Sequence, residues 1–194
     1  MAGRRRGSAR ARIGGVPNPD SPPAQSTASA RLFLGLWPPE PVREALVRHA
    51  ERWAWPRGAR RVRPDKIHLT LHFIGDVPRE RVAALAQAIA VPFEPIDLRL
   101  DHAEVWPGGI AVFGPSAVPA ALLELHRRLG AALAAFGIAP ERRALKAHVT
   151  LARRAQGAVA PPPADGVDWH ADRYVLVESD RQPPTAYRVL ASWP

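Results

Sequence analysis

Two short stretches of the chain share an arrangement of residues that can transfer protons. In KIHLTLHFIG a histidine and a threonine stand two positions apart, at His68 and Thr70. In KAHVTLARR the same spacing recurs at His148 and Thr150. Imidazole titrates near neutral pH and is the side chain that proteins use most often as a general acid or base. The repetition therefore indicates a site with two proton-transferring groups.

Both stretches alternate polar and apolar residues, which is typical of a half-buried strand. Side chains of a strand alternate between its two faces, so His68, Thr70 and His72 are predicted to share one face while the residues between them face the core. Two such strands side by side would bring two imidazoles and two hydroxyls together. One imidazole can then act as acid and the other as base, while the hydroxyls bind oxygens of the reacting group. Phosphodiester cleavage without a metal ion fits this arrangement.

Other roles for these histidines are less favoured by the pattern. A single strand histidine is more often a hydrogen-bonded structural residue than a catalyst, and it is the repetition that favours catalysis. His72 is expected to line the cleft or lie on the surface. On a strand His68 and His72 are about 13 Å apart, too far to share one metal ion. The chain has no cysteine, which excludes disulfides, thiolate zinc sites and cysteine nucleophiles. Neither a metal nor a cofactor is expected.

Positive charge is concentrated at the start of the chain. The 194 residues have a formal net charge of +9, and residues 1–31 hold six arginines against one aspartate. Residues 1–30 have almost no large apolar side chains and are rich in arginine, alanine, serine, proline and glycine, so they are predicted to form a disordered basic tail. The tail is either a solvated extension or a contact for RNA. The mildly basic remainder is compatible with a phosphate-bearing partner.

The apolar segments are too short for a membrane protein. No apolar run approaches the roughly 20 residues of a spanning helix, and the basic start lacks the apolar segment of a secretory signal. We therefore expect a soluble, cytoplasmic protein without a membrane partner, and a monomer.

Residues 31–194 are predicted to form one domain of two related lobes. Strands are predicted at 31–37, 68–75, 96–106, 109–114, 147–153, 173–179 and 186–193, and helices at 38–54, 78–90 and 119–136, with a Pro-rich loop at 155–168. This order lacks regular βαβ alternation and favours an α+β fold with largely antiparallel sheets. The two His-x-Thr-Leu strands lie 80 residues apart, each near a helix of similar length. They indicate an internal duplication with one motif per lobe.

Together these motifs resemble those of a known enzyme family. The paired HLTLHFIGDV and HVTLAR, preceded by RLFLGLWPPEPVREAL, are similar to the RNA 2',3'-cyclic phosphodiesterases, or 2'-5' RNA ligases, of the 2H phosphoesterase superfamily. The resemblance covers residues 31–193. It implies a bilobal, duplicated α+β fold around a central cleft. It also implies an enzyme that opens a 2',3'-cyclic phosphate at an RNA end and leaves a 2'-phosphate.

The resemblance also implies a role for each motif residue. His68 resembles the family's proton donor to the leaving oxygen, and His148 resembles the proton acceptor that activates water. Thr70 and Thr150 resemble the hydroxyls that bind phosphate. Arg153 matches a position associated with phosphate binding, but strict alternation puts it on the far face of its strand. A twist or β-bulge is therefore required before Arg153.

The two motifs also differ from each other and from the family pattern. Phe73 occupies in the first motif the position that Arg153 has in the second, where it can stack on a base, although an apolar side chain at such a position more often packs in the core. Ala147 stands where the family usually has proline, and His72 stands where a basic residue is common. Both differences bear on substrate preference.

Three alternatives to the RNA cyclic phosphodiesterase remain. They are a related 2H activity on small cyclic nucleotides, reversible 2'-5' ligation, and an RNA-binding module that keeps the fold with little turnover. Pure binding does not need two titrating imidazoles, which argues against the last of these. Three tryptophans are expected in the core or in the wall of the cleft: Trp37, Trp106 and Trp193.

Overall fold

The first strand begins two residues earlier than the composition predicts. The structure, a computed structural model, describes residues 29–141, 143–162, 166–180 and 186–194. Of the tail predicted for residues 1–30, residues 1–28 lie outside these ranges, and their disorder stays a prediction. Ser29 and Ala30, which were predicted to belong to the tail, are part of the first strand, where Ala30 pairs with Val77 and is buried.

Within the described ranges the chain forms ten strands and three α-helices. The strands are β1 (Ser29–Leu36), β2 (Arg60–Arg61), β3 (Leu69–Pro78), β4 (Ile96–Leu100), β5 (His102–Trp106), β6 (Ile110–Gly114), β7 (Val149–Arg153), β8 (Val167–Ala171), β9 (Tyr174–Ser179) and β10 (Tyr187–Trp193). The helices are α1 (Glu40–Glu51), α2 (Arg79–Ala88) and α3 (Ala120–Ala135), with a short 3-10 helix at Pro64–Lys66. None of these helices combines the length and the apolar character that a membrane crossing requires.

The predicted elements are present in the predicted order, with two differences. The segment 96–106 forms two strands, because β4 pairs with β8 in a separate sheet while β5 pairs with β6. Asp101 lies between them, and its carboxylate accepts hydrogen bonds from the backbone N–H and the hydroxyl of Ser116. Strands β2 and β8 were not predicted. The first has only two residues, and the second begins inside the segment 155–168 that was predicted as a loop.

A continuous antiparallel sheet contains both motif strands. Its order is β10-β9-β1-β3-β7-β6-β5, with β2 also pairing with β7, while β4 and β8 pair separately. Every pairing is antiparallel, as the predicted α+β fold requires. The central strands β3 and β7 pair only through Leu69 and Val149. This junction divides the sheet into a first half, β10 to β3, and a second half, β7 to β5 with β2.

The two halves repeat one order of elements and interlock through their helices. The first half contains β1, α1 and β3, and the second contains β6, α3 and β7, each ending on a motif strand. His49 of α1 stacks on Phe113 of β6, with ring centroids 3.8 Å apart. His126 of α3 stacks on His72 of β3 at 4.0 Å. Because each helix packs on a strand of the other half, the halves share one hydrophobic core.

Candidate active site

The two motifs face each other at the junction of the halves. The antiparallel register of β3 and β7, continued by one residue to either side of their pairing, places His68 opposite Thr150 and His148 opposite Thr70. Directly opposed residues project from the same face of a sheet, with Cβ atoms about 4.5 to 5.5 Å apart. Each imidazole therefore lies beside the hydroxyl of the other motif. We call the face that carries these four side chains the site face.

A β-bulge follows the first motif. Thr70 pairs with Gly35 of β1, and His72 pairs with the adjacent Leu34, so Leu71 has no partner in β1. Such an extra residue interrupts the regular alternation of side chains between the two faces of a strand. His72 and Phe73 therefore point the opposite way from what the alternation predicts. A second shift of register leaves Ile74 without a partner in β1 and restores the alternation, so that Val77 is buried like Leu69.

This bulge overturns one prediction and decides another. His72, predicted for the cleft or the surface, is only 1% exposed and lies under α3, where its Nε2–H donates to the carbonyl oxygen of His126 at 2.8 Å. Phe73 is 63% exposed, so the core alternative for this residue is wrong. Its ring lies 6.5 Å from that of Phe33, which in turn contacts His68 at 4.7 Å. Phe73 thus lies on the site face, as a stacking role requires.

The second motif is followed by a bulge at the same position. Thr150 pairs with Val112 of β6, and Ala152 pairs with the adjacent Ala111, so Leu151 is the extra residue. Ala152 is fully buried, whereas the next residue is exposed. The predicted bulge is therefore present, and it occurs in both motifs.

The bulge in β7 turns Arg153 toward the site face. The pKa values of His68 and His148 are both lowered, first by burial, and the positive charge of Arg153 lowers both further. A charge that acts on both imidazoles lies near both of them. Arg153 is thus placed to bind an anion held between the two histidines.

The same backbone contact orients both imidazoles. Nδ1 of His68 lies 2.7 Å from the carbonyl oxygen of Lys66, and Nδ1 of His148 lies 2.6 Å from that of Lys146. A carbonyl oxygen only accepts hydrogen bonds, so each Nδ1 carries a hydrogen. This leaves Nε2 of each ring as the atom that exchanges protons with a substrate.

Each motif is also preceded by a lysine that lies over an aromatic ring. Nζ of Lys66 is 5.3 Å from the ring centre of Tyr187, and Nζ of Lys146 is 5.5 Å from that of Trp106. The same two rings contact the motif histidines. These are the only lysines of the chain, and each stands two residues before a motif histidine. That position is the signal by which the sequence could have revealed them.

Aromatic side chains form the wall of the site beside His68. The indole of Trp37 stacks on this imidazole, with ring centroids 5.5 Å apart and an angle of 9° between the planes. Phe33 contacts the same imidazole. Trp193 instead stacks on Tyr174 in the core. Trp37 therefore belongs to the site wall, and Trp193 packs against the core.

Charged neighbours distinguish the two imidazoles. Burial is the largest cause that lowers the pKa of each. The charge of His148 lowers the pKa of His68 further, whereas the carboxylate of Glu104 raises the pKa of His148. Both imidazoles are therefore neutral over a wider pH range than a free histidine. In the absence of substrate, Glu104 favours a proton on His148.

The two hydroxyls of the site are available to a ligand. Thr70 and Thr150 are half-buried, and in the described part of the chain neither hydroxyl is engaged in a hydrogen bond. The residues that the structure describes contain no group of three or more His, Cys, Asp or Glu side chains that could hold a metal ion. His72 faces the core and not the site face, so it cannot share a ligand with His68.

Comparisons with known proteins show the family of the chain. A family model described as LigT like Phosphoesterase matches residues 36–111. An Escherichia coli protein named RNA 2',3'-cyclic phosphodiesterase is 30% identical over 167 residues, which cover 84% of this chain and 95% of that relative. The chain belongs to the LigT-like phosphoesterase family.

Further relatives of this LigT-like phosphoesterase extend the match. A Thermus thermophilus protein, also named RNA 2',3'-cyclic phosphodiesterase, is 33% identical over 82% of the chain and 87% of its own length. The crystal structure of E. coli LigT in apo form superposes with a TM-score of 0.77 at 30% identity, covering 85% of this chain and 96% of that one. E. coli LigT complexed with 3'-AMP also gives a TM-score of 0.77, at 28% identity over 86% of this chain and 98% of that one. The predicted fold is therefore confirmed.

Proposed function

We propose that this LigT-like phosphoesterase hydrolyses 2',3'-cyclic phosphates at RNA ends to 2'-phosphomonoesters without a metal ion. The observation that carries the proposal is the register of β3 and β7, which sets each motif imidazole beside the hydroxyl of the other motif. The names of the E. coli and T. thermophilus relatives support RNA as the substrate. The 3'-AMP complex of E. coli LigT supports a nucleotide with a terminal phosphate as ligand.

In the proposed reaction water attacks phosphorus and the bond from phosphorus to O3' breaks. Nε2 of His148 takes a proton from the water, and Nε2 of His68 donates one to the departing O3'. The hydroxyls of Thr70 and Thr150 and the guanidinium of Arg153 bind the nonbridging oxygens, where negative charge grows in the transition state. The two imidazoles begin turnover in opposite protonation states and end it with the states exchanged.

The experiment that tests this function uses an RNA oligomer ending in a 2',3'-cyclic phosphate, incubated with the purified protein in EDTA. We expect conversion to an oligomer ending in a 2'-phosphate, resolved from the 3'-phosphate isomer by chromatography against standards. A double variant without His68 and His148 is the control. Loss of turnover in EDTA that a divalent ion restores would contradict the two-histidine mechanism.

The roles of the two histidines can be separated by the leaving group. Replacing either by alanine should lower kcat by about 10²- to 10⁴-fold on RNA, the usual contribution of one acid or base. A nitrophenyl phosphodiester has a leaving group that needs no proton, so it should restore turnover to His68→Ala and not to His148→Ala. Glu104 raises the pKa of His148 and so favours its protonated form in the free protein, whereas a base must begin turnover neutral. If the nitrophenyl substrate restored turnover to His148→Ala alone, His148 would be the acid and His68 the base.

The same proposal includes a cytoplasmic, monomeric enzyme. An RNA substrate supports action in the cytoplasm, and a site completed by the two halves of one chain supports a monomer. Light scattering after size-exclusion chromatography should give the mass of one chain. Cell fractionation should recover the protein with the cytoplasmic fraction.

A further inference from the structure

The arginines beside the active site lack acidic partners, whereas several other surface arginines have them. Arg99 pairs with Asp168, and Arg127 pairs with Glu124 on α3. Five exposed arginines near β2 and the end of β7 form no ion pair within the described ranges: Arg57, Arg60, Arg61, Arg153 and Arg154. We call these five residues the arginine cluster. Uncompensated like charges so close together favour binding of a polyanion.

Two members of the arginine cluster are direct cross-strand neighbours. Arg60 of β2 pairs with Arg153 of β7, and the pairing continues where the backbone N–H of Val62 donates to the carbonyl oxygen of Leu151 at 2.8 Å. Residues opposed in this way project from the same face of the sheet, and like charges so placed are destabilising. Because Arg153 turns toward the imidazoles, Arg60 lies on the site face as well.

The arginine cluster continues the site away from the reacting phosphate. Arg153 follows Thr150 by three residues along β7, which is about 10 Å of strand, and Arg60 lies beside it. A turn closed by the hydrogen bond from Ala59 N to Pro56 O precedes β2 and presents Arg57. Positive charge thus extends in one direction from the histidine pair.

We propose that Arg60 binds the phosphate next to the reacting one in an RNA strand. This inference rests on the proposed function, and it names the substrate class of that site as an oligonucleotide rather than a free nucleotide. A mononucleoside 2',3'-cyclic phosphate has one phosphate, which Thr70, Thr150 and Arg153 bind. An RNA strand has a further phosphate, and a guanidinium is well suited to bind it. The phosphate then compensates the paired charges of Arg60 and Arg153.

The test compares adenosine 2',3'-cyclic phosphate with a single-stranded RNA oligomer that ends in the same nucleotide. Arg60→Gln should reduce kcat/KM for the oligomer much more than kcat/KM for the mononucleotide, which has no second phosphate. For the oligomer it should raise KM about fivefold at 0.1 M salt and reduce the slope of log KM against log salt by about 0.7, the loss expected for one single-strand phosphate contact. Arg127→Gln removes an equal charge from α3 and should leave kcat/KM unchanged for both substrates.

Other outcomes separate this inference from the proposed function. The melting temperature of Arg60→Gln should equal or exceed that of the wild type, because a like-charge pair is lost. Equal losses on both substrates, or no loss on the oligomer, would overturn the inference. If the wild type turns over neither substrate, the proposed function fails instead. The inference is then decided by binding of an RNA oligomer ending in a 2'-phosphate, which must be weaker for Arg60→Gln than for the wild type and Arg127→Gln.

Discussion

The imidazoles of His68 and His148 lie near a guanidinium, and this neighbour affects their titration. Burial lowers the pKa of both, and the charge of Arg153 lowers both further. The base must be neutral and the acid must be protonated at the start of turnover, so kcat/KM should follow a bell-shaped pH profile. With both values lowered, the centre of this profile lies below about pH 6.5, the ordinary pKa of histidine.

Replacing Arg153 by glutamine should move both limbs of that profile to higher pH. Without the positive charge, protonation of either imidazole is less unfavourable, so both pKa values rise. The maximum of kcat/KM should fall about tenfold or more, because a hydrogen bond from a charged group contributes about 1.5 to 3 kcal/mol. The measurement is kcat/KM against pH for the mononucleotide, with Arg154→Gln as the control whose limbs stay in place. Unmoved limbs in Arg153→Gln would show that its guanidinium lies away from the imidazoles.

At the scale of single elements, the β-bulges determine which side chains the motif strands present to the site. Alternation correctly predicts the positions of His68 and Thr70, because both precede the bulge in β3. It fails for His72 and Phe73, because the unpaired Leu71 inverts the alternation until Ile74, the next unpaired residue, restores it. The sequence indicates a bulge only indirectly, because Arg153 can reach a phosphate on the site face only if the alternation is interrupted before it. Phe73 has the equivalent position in the first motif, so the repeat predicts a bulge before Phe73 as well.

The longer elements are predictable for a different reason from the short ones. The helices and the central strands have periodic apolar residues, which a local pattern reveals. Strand β2 exists because Arg60 and Arg61 pair with β7, a contact between residues about 90 positions apart that no local pattern encodes. The arginine cluster is assembled by that contact and was therefore not predicted.

Glycine beside the second motif keeps the strands in close contact. A Cβ at Gly114 of β6 would overlap the carbonyl oxygen of Ala147, the residue before His148. We expect Gly114→Ala to lower the free energy of unfolding by about 1 to 3 kcal/mol, as for other overpacked sites, and to lower kcat because His148 shifts. Urea unfolding and kcat are measured together.

The matched control for this variant is Gly75→Ala. Gly75 has φ +86°, and in the described part of the chain no atom lies within 4 Å of a Cβ added there. Its replacement should cost about 1 to 2 kcal/mol through backbone strain alone and leave kcat of the folded enzyme unchanged. An unchanged kcat in Gly114→Ala would mean that β7 accommodates the methyl group without moving its histidine.

At the scale of the whole molecule, a buried imidazole joins the two halves. His49 of α1 is 8% exposed and stacks on Phe113 of the second half, and neither of its ring nitrogens has a hydrogen-bond partner among the residues that the structure describes. Burial, with a smaller effect of the Arg52 charge, lowers its pKa to about 4. In the unfolded chain the pKa is about 6.5. As the pH falls below 6.5, the unfolded state gains a proton that the native state does not bind, so stability decreases.

We therefore expect the free energy of unfolding to fall between pH 7 and pH 4.5, with His49 responsible for about 2 to 3 kcal/mol of the loss. His72 contributes in the same direction, because burial lowers its pKa as well. In His49→Leu the decrease should be smaller by that amount, as measured by urea unfolding at the two pH values. His102→Gln removes an exposed imidazole from β5 and should keep the wild-type decrease. If the free energy of unfolding fell as much in His49→Leu as in the wild type, groups other than His49 would cause the acid sensitivity.

The two bulges project chemically different side chains from equivalent positions, Phe73 in one half and Arg153 in the other. A site with two identical halves would accept a cyclic phosphate in two orientations, related by rotation about the axis between the motifs. These orientations exchange O2' and O3' beside the acid imidazole, and so they give opposite isomers of the opened ring. The histidines and threonines are alike in both halves and cannot choose between the isomers. We expect the regiochemistry of ring opening to depend instead on the residues in which the halves differ, with an aromatic surface for a base on one side and a cation on the other.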